Sequence, residues 1–326
     1  MIILHSKLRE LTSNKNSGIP YKKRKQKGWI KMSYIDLHMH SSYSDDGEFD
    51  PKTIVDLCLD RKIKYFSIAD HNCVKAIDEA MLYCKDKDIE IIPAVELDCT
   101  IDSLNLHLLG YGIEYHSTIF NEIQENIILQ EQTASQKRMK LIRKLGIDYS
   151  NEFIETLSRN GIVTGEMIAE AAMQFDKDKI NPMLKPYYEN GSRSDNPYVN
   201  FYWDYCSQGK PAYAEVNFIS LQEAVKVIEE NGGIPVLAHP GINIKENSAL
   251  LETVCDVGIR GIEVYSSYHN ESQVSFYKDF AFKHKLLVTC GSDFHGKTKP
   301  SITVGFSNCG NDEEGIISSL KKALNL

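Results

Sequence analysis

The chain predicts an α/β fold with a largely parallel sheet, helices outside it, and one helical insertion. Three observations lead there. Short apolar strands alternate with amphipathic helices in both the first and the last third of the chain. A stretch of roughly 90 residues between them offers no convincing strand, too long for the connection inside one β–α unit. Nearly every candidate strand also ends in a residue that can ligate a metal.

The elements follow in order. Tyr34–Leu37 reads as the first strand, and Asp50-Pro51 opens a helix to about Lys62, with Asp at the N-cap and Pro at the first helical position. Tyr65–Ala69 is a buried type of strand, followed by a helix over Lys75–Asp86. Ile89–Glu96 and Leu104–Tyr111 are further strands. Residues 117–210 form the expected insertion, a helical cap opening with a long helix over Ser117–Leu145. Alternation resumes at about Ala212. A helix over Ser220–Asn231 leads to strand Ile234–Ala238, a helix near Glu246–Cys255 to strand Gly261–Tyr265, and helix Glu271–His284 to strand Leu286–Thr289. A helix over about Asp312–Leu324 closes the chain. The expected domain plan is therefore residues 33–116 and 211–326 as the two parts of one α/β body, with 117–210 inserted.

Composition excludes several classes. The 326 residues are 42% hydrophobic and 25% charged, a globular balance. No apolar run approaches the ~20 residues needed to span a membrane, and no signal-peptide pattern opens the chain. Eight scattered cysteines without a CxxC pair read as reduced packing residues, which points to the cytoplasm. Residues 1–32 carry nine Lys/Arg and one Glu, and are expected to be a basic, unstructured extension. The remainder holds 28 basic against 44 acidic residues, so its surface as a whole would not attract nucleic acid.

The chemistry sits at the strand ends. Strand one ends D-L-H-M-H (His38, His40), strand two A-D-H (Asp70, His71) and strand three A-V-E (Glu96). His107 lies on strand four, and the later segments give A-H-P-G (His239) and G-S-D-F-H (Asp293, His295). On an extended strand, residues at i and i+2 face the same side, so His38/His40 and Asp293/His295 can each reach a common centre. Imidazole mixed with carboxylate suits Zn, Mn or Fe. His5, His116, His269 and His284 read as surface or packing histidines, and Asp36 as a residue that orients a histidine or the strand rather than a metal ligand. Asp46 and Glu48 read as solvated loop acids.

These segments (DLHMHSSYSDDG, ADHN, PAVEL, HLLGY, VLAHPG, IEVY and GSDFHG) together resemble the PHP (polymerase and histidinol phosphatase) superfamily, over about 33–115 and 212–326. The resemblance implies a distorted seven-stranded, TIM-like β/α barrel with a trinuclear metal centre. By motif position, one metal would take His38, His40, Glu96 and Asp293, and a second would share Glu96 with His107 and His239. A third would take Asp45, His71 and His295. The implied activity is hydrolysis of a phosphomonoester by a metal-bridging hydroxide held by Glu96, His107, His239 and Asp293, with two or three divalent ions (Zn, Mn or Fe) as cofactors. The expected partner is a small phosphorylated substrate, with a nucleoside 3′,5′-bisphosphate or short 5′-phosphorylated oligonucleotide among the candidates; no membrane and no obligate protein partner are expected. The nucleotide-acting branch usually carries an Arg-Pro-His stretch in the insertion, and Val163–Glu170 has none. Lys185 and Arg193 are the candidate substrate contacts of the cap. The competing functions are an amidohydrolase-type C–N hydrolase and a non-catalytic, metal-stabilised module.

Overall fold

A computed structural model describes residues 33–307 and 309–326. The expected basic extension at 1–32 lies outside the described residues, as does His5.

Among the described residues, nine strands and ten α-helices follow one another. β1 (Ile35–Met39), α1 (Pro51–Asp60), β2 (Tyr65–Ile68), α2 (Ala76–Cys84) and β3 (Glu90–Ile91) form the first group. β4 (Ala94–Ile101) and β5 (Leu104–Tyr111) come next, then the helices α3 (Thr118–Lys144), α4 (Asn151–Leu157), α5 (Gly165–Phe175) and α6 (Pro197–Phe201). β6 (Ile219–Ser220), α7 (Leu221–Glu230), β7 (Ile234–Leu237), α8 (Ser248–Val257), β8 (Gly261–Ser266), α9 (Glu271–His284), β9 (Leu287–Gly291) and α10 (Glu313–Ala323) complete the chain. The helix starts are encoded locally. Asp50 accepts the Thr53 N–H at 2.8 Å with Pro51 following, and Ser220/Glu223 and Asn270/Gln273 form reciprocal capping boxes.

The α/β class stands, but the sheet arrangement differs from the expected seven-stranded parallel barrel. β1, β2 and β3 make one parallel sheet, and β6-β4-β5-β7-β8-β9 make a second, mixed one. β5 runs antiparallel to both β4 and β7. The reason is the two-residue turn Asp102-Ser103, where both residues have positive φ (45° and 67°). That geometry matches a hairpin's twist and reverses the chain at once. The two sheets do not close through continuous ladders. They meet at single bridges, Met39 with Phe294 and His71 with Glu96.

The principal apolar core lies between the six-stranded sheet and its outer helices, with Leu37, Val95, Leu108, Val236 and Ile262 inaccessible or nearly so. A second cluster packs α1 and α2 on β1 and β2. A third, from Ile142 to Ala212, belongs to the strand-free segment itself and contains Phe201, Tyr187 and Ile168. The aromatic run at 198–203 is partly spent there, with Phe201 inaccessible against Tyr187 and Tyr205. Among the described residues, no helix is long and apolar enough to cross a membrane.

β1 and β9 approach so closely that only glycine fits at 291. A Cβ there would lie 2.1 Å from the His38 Cβ and 2.6 Å from a Glu263 carboxylate oxygen. Both neighbours are fully buried and cannot retreat. Gly291→Ala is therefore expected to cost on the order of 1–3 kcal/mol of stability and to displace His38. Denaturant unfolding together with metal content would check it. A variant as stable and as metal-rich as the parent would show that the strands can separate.

Candidate metal centre

Six backbone segments deliver their side chains to one point. β1 and the residue after it supply His38 and His40, the loop after β2 supplies His71, and β4 supplies Glu96 and Asp98. His107 projects from β5, His239 follows β7, and Asp293 and His295 follow β9. Glu96 stands at the middle. Its Oε2 lies 3.1 Å from both His38 Nε2 and His40 Nε2 and 3.3 Å from His71 Nδ1. Its Oε1 lies 3.0 Å from His107 Nδ1 and from His239 Nε2. Asp293 Oδ1 adds a second carboxylate 3.1 Å from His40 Nε2.

Four donor groups result: His38, His40, Glu96 and Asp293; Glu96, His107 and His239; His40, Asp46, His71 and His295; and His71, Asp98 and His107. Donors about 2.1 Å from a common ion stand roughly 3.4 Å apart in a tetrahedral shell. The separations here match that spacing. Glu96 Oε2, His71 Nδ1 and His295 Nε2 are also buried without a hydrogen-bond partner. Buried polar atoms are otherwise almost always paired. The donor set therefore fits divalent ions.

The aspartate pair is where the geometry departs from expectation. Asp46, read from sequence as a solvated acid, places Oδ2 3.1 Å from His295 Nε2. Asp45, the expected ligand, belongs to none of the four groups and faces a neighbouring cavity. The loop's own contacts set this register. Asp70 holds Ser41 through its N–H and hydroxyl, both at 2.6 Å, and accepts the Ser44 hydroxyl at 3.0 Å. Gly47 then passes so near Ser41 that a Cβ would fall 2.0 Å from that residue's carbonyl oxygen. Glu48 is also engaged, accepting the Lys297 N–H at 2.6 Å.

Other residues aim the ligands. Glu263 Oε1 lies 3.0 Å from His38 Nδ1, and its Oε2 accepts the His239 N–H at 2.9 Å. Ser44 Oγ lies 3.0 Å from His40 Nδ1, and the Asp293 carbonyl accepts from His295 Nδ1 at 2.9 Å. Each of the three ring contacts leaves the opposite ring nitrogen for the centre, while the His239 contact holds its backbone. Asp36 orients the strand, accepting the backbone N–H of Ser292 (2.8 Å) and Gly305 (2.7 Å). His239 (φ 23°) and Asp293 (φ 55°) both hold left-handed backbone, a strain found where function over-determines a position. His269 spends both nitrogens on backbone, at Val264 and Gly241, and so braces the loop after His239.

Of the two expected cap contacts, one is already paired and the other is exposed. Arg193 forks onto Asp204 through Nε (3.0 Å) and Nη2 (2.9 Å), so its guanidinium is already held. Lys185 lies exposed in a short 3₁₀ turn, Lys185–Tyr187. Sequence reading missed Asp98, Glu263, Lys299 and Arg159. Lys299 Nζ is buried 2.6 Å from Asp293 Oδ2. Arg159 Nη1 donates to the carbonyls of Ser42 (3.2 Å), Ser44 (2.9 Å) and Gly47 (2.6 Å), tying the His40–Asp46 loop to the helical segment. The Asn160-Gly161 turn signal beside Arg159 was legible, but nothing local revealed its target.

The PHP domain family model matches residues 36–230, well over half of the chain. The chain belongs to the PHP domain family. It is similar to a 3′,5′-nucleoside bisphosphate phosphatase of Chromobacterium violaceum, 26% identical over 84% of this chain and 91% of that protein. A 5′-3′ exoribonuclease of Haemophilus influenzae is 25% identical over 80% of this chain and 89% of its own length. Among solved structures, a Bifidobacterium adolescentis protein described as a metal-dependent phosphoesterase superposes with a TM-score of 0.69. It shares 22% identity, over 89% of this chain and 96% of that one. At that identity the likeness speaks for the fold.

In this PHP chain the electrostatics are those of a cluster short of cations. Burial opposes charge on the His38, His40, His71 and His107 imidazoles, and at His40 burial, with the facing His295 and His71 rings, brings the pKa down to about 4. At His38, burial is outweighed by Glu96, Glu263 and Asp293, which hold it well above its usual value. Burial likewise yields to Glu96 and Asp98 at His71 and His107, which are also raised. Burial would raise Glu96 and Asp293, but both are held far down, Glu96 by the surrounding imidazoles and Asp293 first by Lys299 and then by His295 and His38.

The sign for stability follows. Without metal, the raised imidazoles contribute stability that is complete below their unfolded value of about 6.5 and is lost as pH rises through the folded values. Divalent ions take the place of those protons. The melting temperature in chelator is therefore expected to fall as pH rises above about 6.5, and excess Mn²⁺ or Zn²⁺ should flatten that fall. A pH-independent melting temperature in chelator would contradict the argument.

Proposed function

We propose that this chain is a metal-dependent phosphomonoesterase acting on a small phosphorylated substrate. The observation that carries it is Glu96, a fully buried carboxylate within 3.0–3.3 Å of nitrogens from five histidines. In this reading one ion takes His38, His40, Glu96 and Asp293, and a second takes Glu96, His107 and His239. A third takes Asp46, His71 and His295. Bound divalent ions supply charge neutralisation of the phosphate and acidification of water.

The chain's own groups do the rest. Glu263, Ser44 and the Asp293 carbonyl fix ring orientation, so the donors need little rearrangement when substrate arrives. Lys299 pairs with Asp293 at 2.6 Å and holds that carboxylate in place. Tyr268 donates its hydroxyl to Asp293 and stands edge-on to His239 at 5.7 Å, with Trp203 edge-on behind it at 6.1 Å. These rings wall one side of the centre and exclude water there. In the reaction a water oxygen bonds to phosphorus, the ester P–O bond breaks, and a proton reaches the departing alcohol oxygen.

Support comes from the donor geometry, from family membership, and from relatives named as phosphatase and exoribonuclease. The test is a phosphate-release screen with Mn²⁺ or Zn²⁺ and with chelator. It should include small alkyl and sugar phosphates, histidinol phosphate, nucleoside bisphosphates and short 5′-phosphorylated oligonucleotides. Metal-dependent release from at least one ester is expected. Release from none, with C–N hydrolysis of an amide substrate instead, would replace this reading with the amidohydrolase one.

A further inference from the structure

Behind the donor cluster, Asp70, Ser41 and Ser44 form a buried polar group that supplies no ligand. The Asp70 carboxylate receives three donors: the Ser41 N–H and hydroxyl, both at 2.6 Å, and the Ser44 hydroxyl at 3.0 Å. A hydroxyl at 2.6 Å has the spacing of a donor on an ionised carboxylate. Such a carboxylate can only accept, so the Ser44 proton points at Asp70.

The rest of the Ser44 hydroxyl is then determined. It has one proton and two lone pairs. The proton goes to Asp70 Oδ1, and the backbone N–H of His71 donates to the oxygen at 2.9 Å. One lone pair is left, and His40 Nδ1 faces it at 3.0 Å. That nitrogen therefore carries the ring proton. Were it bare, Ser44 would have to turn its proton away from Asp70, leaving two buried acceptor oxygens face to face, and an unmade buried bond costs more than the new one returns.

With the proton on Nδ1, the His40 lone pair sits on Nε2, 3.1 Å from Glu96 Oε2 and from Asp293 Oδ1. At His38 a carboxylate, Glu263, touches the ring directly. At His40 one hydroxyl intervenes, and the same oxygen also takes the His71 N–H. A ring assigned to the first ion and the backbone of a residue assigned to the third thus meet at a single atom.

We propose that Asp70 is a positioning residue acting through Ser44, fixing His40 as the Nδ1–H tautomer before any ion arrives and holding His71 in register with it. An incoming ion then meets a lone pair already aimed at the centre. The inference deepens the reading above and rests on its assignment of His40 to an ion.

Nitrogen-15 spectra of histidine-labelled, chelator-stripped protein at about pH 7 read the tautomer, with the His40 signals identified by their loss in His40→Gln. A protonated Nδ1 and a bare Nε2 are expected in the parent, and a mixture of both tautomers in Ser44→Ala. Competition with a chelating dye reads Zn²⁺ affinity on the same samples. Ser44→Ala should weaken one ion equivalent roughly 10–100-fold. Asp70→Asn replaces the charge by an amide and should weaken it in the same direction, by less. Because Asp70 acts through the hydroxyl, adding Asp70→Asn to Ser44→Ala should cost no further affinity. Thermal unfolding checks that each variant is folded.

A bare Nδ1 on His40 in the parent would overturn the inference. So would additive losses in the double variant, which would make Asp70 a brace for the Ser41 turn alone. Neither readout involves turnover, so absence of phosphate release from every ester would remove the phosphoesterase reading and leave both results standing.

Discussion

Glu96→Ala is expected to empty the centre and to stop phosphate release, lowering the rate by at least about 10²–10³-fold, the loss typical of a central electrostatic contact. The reason is position. Both carboxylate oxygens are shared, Oε2 among His38, His40 and His71 and Oε1 between His107 and His239. Removing it leaves five imidazoles around a buried gap with no anion at its middle. Breaking a buried charge pair in this one-sided way costs roughly 3–5 kcal/mol. The metal-free variant should therefore melt well below the metal-free parent. Elemental analysis, phosphate release and thermal unfolding read the three effects separately. A variant that keeps its ions and its rate would show that Glu96 is packing rather than a ligand.

The second large effect separates two neighbours. Asp46→Asn is expected to lose one ion equivalent and roughly 10–100-fold in rate, whereas Asp45→Asn should keep its full metal content. Asp46 reaches His295 at 3.1 Å with His40 and His71 in the same donor group, and Asp45 reaches none of these. Metal loss in Asp45→Asn with retention in Asp46→Asn would restore the register read from the sequence motif.

That one-residue difference shows what the sequence could and could not convey. His38 and His40 were legible because an apolar strand imposes a two-residue period. Side chains at i and i+2 must then face together, whatever lies around them. Glu96 and His239 were legible as polar residues closing apolar runs, and His107 as a lone histidine within one. The choice between Asp45 and Asp46 has no such period behind it. Both sit in an irregular loop whose path is set by Asp70 on Ser41 and by Arg159 on three carbonyls, contacts spanning about thirty and more than a hundred residues.

The fold divides along the same line. Helix starts were encoded within four residues, as the Asp50-Pro51 cap and the Ser220–Glu223 box show. Strand direction was not. A reading of repeated β–α units overlooked the two-residue turn at Asp102-Ser103, although a connection that short admits only an antiparallel pair. Arg193 went wrong for lack of a partner. A polar loop with an arginine resembles an anion site until Asp204, eleven residues on, claims the Nε–Nη2 edge of the guanidinium.

The central claim is that these donors hold divalent ions and that the ions hydrolyse a phosphomonoester. Reconstitution of chelator-stripped protein tests it most directly, with bound Mn²⁺ or Zn²⁺ and the rate of phosphate release followed on the same samples. No release is expected at zero bound metal, and the rate should climb with occupancy until the centre is full. Full activity in stripped protein, or saturation with metal and no release from any phosphoester, would contradict it.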